Sequence, residues 1–299
     1  MKNPIIEAIR SLDNYVRGDA QFTTTELPEP VRIRSLTNLH RGEIKEEPAG
    51  VWQVMGSALH QVLKEAAQKV DPGRFITEQR FQATMPGGTI ISSQVDVYDR
   101  ETKTLDNYKV CSVWKFILGD SPEWEQQLNI EACVLRMNDL EARHVRNIAF
   151  LRNWNARKAR TTREENYPQS DIHEVEVRLW PIGEQQQYIL ERIAKHEAAK
   201  EVSPICSKKE RWQRDASYAL MKRNQKRAIK LYYNHDQAWA ALQQAERTGK
   251  KWEKFYLEER QVEPVRCLSY CSVWQWCDFG QAAHKKWRGN ENNSGMDEK

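Results

Sequence analysis

Asp96 and Lys109 are the first residues whose types and placement could do chemistry. Asp96 falls on the second of three short strand patterns and Lys109 ends the third, with a tight turn between them, so the strands are neighbours and the side chains can converge. A carboxylate holding a divalent ion, beside a lysine that steadies a water or the charge developing on a phosphate, is what phosphodiester hydrolysis asks for. Taken alone the pair is weak, because any charged hairpin supplies an Asp and a Lys. A second group is the cysteines. Cys206 is followed, after 60 residues, by Cys267, Cys271 and Cys277 in the spacing C-x3-C-x5-C, beside Trp274 and Trp276. Cys111 and Cys133 lie on a strand end and a helix face, where core packing accounts for them. The other four read as ligands rather than disulfide partners in a chain taken to be cytoplasmic. Four thiolates suit tetrahedral zinc or an iron–sulfur cluster, and either would clamp the C-terminal segment back onto Cys206.

A third group is electrostatic. The whole chain carries 46 Lys and Arg against 42 Asp and Glu, a net charge of +4, which by itself argues nothing about nucleic acid. Between Ser207 and Lys230, however, Lys208, Lys209, Arg211, Arg214, Lys222, Arg223, Lys226, Arg227 and Lys230 are offset only by Glu210 and Asp215. Read as a helical pattern, this stretch puts Lys222, Lys226 and Lys230 on one face, able to track a phosphate backbone. Trp212, Tyr218 and Tyr232 are placed to stack on unpaired bases. A solvated helix face is the bland alternative. The basic stretch from Asn155 to Asp171, with Arg157, Lys158, Arg160 and Arg163, reads as a mobile loop.

These groups need elements to hold them. At 299 residues and 35.1 kDa the chain is long enough for one large or two ordinary domains, which excludes a peptide or toxin. Its apolar share is 39% and its mean hydropathy −0.81, but 11 Trp and 10 Tyr add bulk for a core, so disorder throughout is excluded. No apolar run approaches the roughly 20 residues of a membrane span. Apolar residues from Ile5 to Val16 predict a helix over 3–17, and Thr23 to Pro30 reads as an extended linker. A helix is expected at about 52–69, then strands at Phe75–Thr84, Thr89–Tyr98 and Thr104–Val110, a helix opened by Pro122, and a strand near Val145–Leu151. A strand at about 174–179, a helix at 183–200 and long helical patterns over 212–246 follow. The expected divisions are a helix and linker (1–34), a mixed α/β core (35–200), a basic, cysteine-bearing region (201–287) and a disordered tail (288–299).

Taken in order, Gly56-Ser-Ala-Leu59-His60, Glu78, Ser92-Ser-Gln-Val-Asp96, Leu105-Asp-Asn-Tyr-Lys109 and Gln127 resemble the PD-(D/E)XK nuclease superfamily, and specifically its RecB-like exonuclease branch with an iron–sulfur cluster. The likeness runs from about Ser35 to Phe279. It implies a mixed-sheet nuclease core with helical additions and a C-terminal cysteine-clamped segment. It implies that His60, Asp96 and residue 107 hold Mg²⁺ or Mn²⁺ with the backbone carbonyl of Tyr108. Lys109 then serves the attacking water, Gln127 positions the site, and Glu78 supports a second ion or its waters. The cysteine set corresponds to a [4Fe-4S] cluster, with structural Zn²⁺ as the alternative. The partner is DNA, single-stranded or with free ends, in repair, recombination, phage DNA processing or CRISPR spacer acquisition; a homo-oligomer or a recombination-type protein partner is compatible.

One position departs from that pattern. The family's third motif has an acid two residues before the lysine, on the same strand face; here that residue is Asn107, and the neighbouring acid, Asp106, belongs to the opposite face. An engineered inactive form, a natural member with weakened or lost activity, and a β-bulge that turns Asp106 inward are the three explanations. The rival to an exonuclease is therefore a nuclease-fold protein that binds DNA or a partner without cutting.

Overall fold

The computed structural model describes residues 18–43, 50–117, 122–162, 167–225, 227–250 and 254–294. The helix expected at 3–17 lies outside them, as do Arg163 and Lys226. The chain divides into two compact units, the first made of residues 1–29 and 45–201 and the second of 30–44 and 202–299.

The first unit is built on a six-stranded mixed sheet. Strand β1 is Phe22–Thr23, β2 Phe75–Thr84, β3 Ile90–Asp99, β4 Thr104–Cys111, β5 His144–Leu151 and β6 Ile172–Glu176. β2 and β3 form a long antiparallel hairpin from Phe75↔Asp99 to Thr84↔Ile90, turned by Gly87 and Gly88 at φ of 92° and 85°, a region open to glycine without a steric cost. β4 runs parallel to β5 along its whole length, Thr104↔His144 to Cys111↔Leu151, and β6 closes the far side antiparallel to β5. The other edge of β3 is shared. Its end pairs with β4 at Val97 to Asp99, its start pairs with β1 at Ile91 and Ser92, and Ser93 to Asp96 between them carry no ladder partner on that edge. The sheet therefore splits beside Asp96. The segment from Thr23 to Pro30, expected to be an extended linker, instead supplies β1 and a turn whose Thr24 and Leu27 are buried.

Helix α1 (Val31–Leu39) belongs to the second unit, and α2 (Gly50–Val70) to the first, packed on β2, β3 and β4. After a single turn, α3 (Trp114–Ile117), comes α4 (Pro122–Arg136). Leu128, Ile130, Ala132, Val134 and Leu135 are all at most 1% exposed, so this helix is buried nearly all round, between the sheet and α6 (Ile182–Ala198). Asn129 ties the three together: its side chain accepts from the Trp180 amide at 2.7 Å and from Gln185 at 3.2 Å, and donates to the carbonyls of Glu125 and Arg178. Part of the stretch read as a mobile loop is a short helix, α5 (Ala156–Thr161), capped by Asn155, whose side chain accepts the Lys158 amide at 2.8 Å.

The second unit differs most from its sequence reading. Where long helices are expected over 212–246, the chain forms β7 (Gln213–Arg214), β8 (Ser217–Lys222) and β9 (Lys230–Tyr232) before α7 (His235–Thr248). β8 is central, antiparallel to β9 and to β10 (Phe255–Arg260), while β11 (Glu263–Pro264) pairs with β7. Lys222 and Lys230 thus sit on strands, not on one helix face. Helix α8 (Val265–Ser269), a 3₁₀ turn at Trp274–Trp276 and α9 (Asp278–Ser294) complete the unit. α9 runs into the stretch expected to be a disordered tail, whose last residues, 295–299, lie outside the described ones.

Candidate metal centre

The split between β3 and β4 opens a cleft of about 780 Å³ lined from four directions: Thr23 to Glu26 after β1, His60 and Lys64 on α2, Glu78, Asp96, Asn107 and Lys109 on the sheet, and Gln127 and Glu131 on α4. Where the β3–β4 ladder stops, Asp96 replaces it, Oδ2 accepting the Tyr108 amide at 2.7 Å. Glu78 lies opposite Asp96 on β2, between the pairs Thr77↔Val97 and Gln79↔Val95. Its φ of 50° puts a non-glycine residue in the left-handed region inside a strand, a local strain that aims its carboxylate at the cleft. His60 Nδ1 is 3.0 Å from Glu78 Oε1 and 3.4 Å from Asp96 Oδ1. Among the described residues these three form the one group of His, Cys, Asp and Glu ligand atoms within 4.8 Å of one another. Nitrogen and carboxylate oxygen at that spacing suit a divalent cation such as Mg²⁺ or Mn²⁺.

β4 distributes its residues to both sides of the split. Tyr108 meets the His60 ring edge-on at 5.8 Å, whereas Asn107 and Lys109 turn toward α4. Lys109 Nζ donates to Gln127 Oε1 at 2.8 Å, and Gln127 Nε2 donates to Glu131 Oε1 at 2.8 Å. The one-turn offset of Gln127 and Glu131 puts both on the same helix face. Asn107 is 2% exposed and its Nδ2 lies 3.5 Å from Glu131 Oε1. Its amide nitrogen is thus directed at α4, while the residue lines the same cleft as His60, Glu78 and Asp96. A bulge does not turn Asp106 inward. The β4–β5 register is continuous, and Asp106 accepts both ends of the Arg146 guanidinium at 2.7 and 2.8 Å.

Glu131 is the residue that sequence reasoning missed. An acid in the middle of the apolar run of α4, one turn after Gln127, is the signal that marks it. It is 1% exposed; burial and the nearby Asp96 charge push its pKa up to about 7, against the hydrogen bond from Gln127. Burial also raises Asp96 to about 6, opposed by His60 and the Tyr108 amide. Burial lowers the pKa of Lys109, although Asp96 and Glu131 oppose it. For His60, burial disfavours the charge but the hydrogen bond to Glu78 and the charge of Asp96 prevail and raise it; for Glu78, burial is likewise outweighed, by His60 and Gln94, and the pKa falls.

In the second unit Cys206, Cys267, Cys271 and Cys277 line one small pocket of about 20 Å³ with Arg32, Arg211 and Arg266. Burial, then Glu210 and the three other thiols, push Cys206 up to about 12, and burial with Cys271 and Cys277 pushes Cys267 to about 11. Arg32 Nε donates to Cys277 Sγ at 3.2 Å, and the Trp274 ring stacks on His284 at 3.7 Å while His284 Nε2 reaches the Cys267 carbonyl at 3.0 Å. Gly280 lets α9 pass close to this corner, since a Cβ there would stand 2.8 Å from the Trp274 carbonyl oxygen. The basic residues scatter. Lys208 and Lys209 occupy a turn, Arg211 stacks on Phe279 at 4.2 Å and donates to the Cys206 carbonyl, and Arg214 pairs with Glu263 at 3.0 Å. Lys222 ends β8 and Arg223 begins the turn after it, whereas Arg227 and Lys230 border an open depression of about 530 Å³ with Arg260.

No family model and no curated protein matches this sequence. Among solved structures, one described as "Crystal structure of SSO0001" aligns at 15% identity and a TM-score of 0.43, over 64% of this chain and 83% of that one. The alkaline exonuclease LHK-Exo from Laribacter hongkongensis aligns at 13% identity and a TM-score of 0.37, over 66% of this chain and 94% of the exonuclease. No helix among the described residues is long and apolar enough to cross a membrane.

Proposed function

We propose that this protein is a Mg²⁺- or Mn²⁺-dependent DNA exonuclease of the RecB-like PD-(D/E)XK class, acting on single strands or free ends. The observation that carries the reading is the meeting, in one cleft, of the His60, Glu78 and Asp96 ligand atoms with the Lys109 ammonium. A divalent ion held by those three side chains would polarise the scissile phosphate and acidify a water. The protein's own groups do the rest. Gln127 occupies one N–H of Lys109 and fixes its direction, leaving the other two for a water or a phosphate oxygen. Burial lowers the Lys109 pKa and so eases proton exchange with that water. Lys64, one turn beyond His60 on the cleft wall, adds positive charge for the backbone phosphates.

The four thiols support a [4Fe-4S] cluster. Cys206, Cys267, Cys271 and Cys277 line one pocket, and Arg32, Arg211 and Arg266 beside them suit the negative charge of such a cluster. Arg227, Lys230 and Arg260, with Tyr232 on the same strand as Lys230, are the basic and aromatic groups of the second unit best placed for single-stranded DNA.

Asn107 favours the second reading, a nuclease-fold protein that binds DNA without cutting it. The Asn107→Asp variant separates the two. Under the first reading it raises Mn²⁺-dependent cleavage of single-stranded DNA; under the second it yields none, and Lys109→Ala changes nothing.

A further inference from the structure

The buried polar groups around Asn107 are incompletely satisfied in a way that singles out one position. Glu131 Oε1 receives every donor that reaches this carboxylate: Gln127 Nε2 at 2.8 Å, Thr24 Oγ1 at 3.3 Å and Asn107 Nδ2 at 3.5 Å. Its other oxygen, Oε2, has no partner, and neither does Asn107 Oδ1. Both residues are about 98% buried or more, and both line the cleft. Asn107 Nδ2 is the amide atom that faces Glu131, so two buried acceptors, one on each partner of this contact, are left bare. Asn147, in register with Asn107 on β5, leaves both atoms of its own buried amide unpartnered as well. Buried acceptors without donors are rare because each forfeits its hydration, and a cluster of them calls for a cation or an ion with its waters. Glu131 and Asn107 line the same cleft as His60, Glu78 and Asp96.

We propose that Glu131 is the displaced acid of this site: from helix α4 its Oε2, together with Asn107 Oδ1, forms a divalent-cation position beside Asp96 and supplies the negative charge that Asn107 lacks on β4. Charge count governs how well oxygen ligands hold a hard cation, and one carboxylate plus one amide oxygen restores the count that a carboxylate at residue 107 would give. The inference rests on the nuclease reading for the identity of the cation and for the expectation of an acid at residue 107.

The test is Mn²⁺ binding to the full-length protein, followed by the loss of the free-ion EPR signal, with circular dichroism to confirm folding. Glu131→Gln, which keeps size and shape, is expected to weaken Mn²⁺ binding on the order of 10- to 100-fold. Adding Asn107→Asp to that variant is expected to restore most of the loss, and Asn107→Asp alone to tighten binding. Folded Glu131→Gln binding Mn²⁺ like the wild type overturns the proposal. If Glu131→Gln does not fold, unchanged affinity in Asn107→Asp overturns it equally. DNA cleavage reports separately on the nuclease reading. Glu131-dependent Mn²⁺ binding without cleavage sinks that reading and leaves the cation position standing, whereas Lys109-dependent cleavage with Mn²⁺ affinity indifferent to residues 107 and 131 does the reverse.

Discussion

Three residues of the cleft tie its chemistry to pH with the same sign. Asp96 rises from 3.8 to about 6 on folding and Glu131 from 4.5 to about 7, so the folded state holds these protons more tightly than the unfolded chain. Their contribution to stability is present when they are protonated and is lost as pH rises through those windows. His60, a base raised above 6.5, behaves alike, being most stabilising below its unfolded value. Glu78, lowered from 4.5, opposes them only below that pH. With divalent ions chelated, the melting temperature is therefore expected to rise as pH falls from 7 to 5, and Glu131→Gln to flatten the rise; a wild-type profile that falls over that range contradicts the electrostatic account. The residues that stand on recognisable strand and helix patterns, namely His60, Glu78, Asp96, Lys109 and Gln127, were legible in the sequence. Glu131 and Thr24 were not. Glu131 hides inside an apolar helical run, and Thr24 sits in a segment whose Thr and Pro content reads as linker until its parallel pairing with β3 is seen.

At the scale of elements, the cleft depends on α4 holding its depth against the split sheet. Leu128, one residue beyond Gln127, is fully buried in the main core cluster. Leu128→Ala is expected to cost roughly 2–5 kcal/mol by lost transfer energy and cavity formation, read as a lower denaturant midpoint at constant slope. A loss below the lower bound would mean that α4 is not anchored there. The meander β2–β3–β4 and helix α4 were legible because period-two and helical patterns there are long and bounded by Gly-Gly and Pro. In the second unit the same reading fails at Ser217–Lys222. The sequence SYALMK is rich in helix formers, and its strand state comes from Phe255–Arg260, a partner too distant in sequence for any local pattern to reveal. That Lys222 and Lys230 lie on strands and not on one helix face follows from the same pairing.

At the scale of the molecule, the two compact units hold two different sets of candidate ligands, oxygen and nitrogen in one and sulfur in the other. The thiol set in the second unit was legible from spacing alone, because three cysteines within eleven residues and a fourth upstream have few other uses. Protein purified without oxygen is expected to be brown, with a broad band near ~400 nm and equal iron and sulfide, and Cys277→Ser to lose the colour; a colourless wild-type protein with one bound zinc contradicts the cluster. The central claim belongs to the other unit. Its most direct test is degradation of end-labelled single-stranded DNA by the wild-type protein and by Lys109→Ala, with Mn²⁺ and with chelator. Cleavage that requires Mn²⁺ and disappears in a normally folded Lys109→Ala is the expected result, and cleavage that survives the loss of Lys109, or its absence in both wild type and Asn107→Asp, contradicts the account.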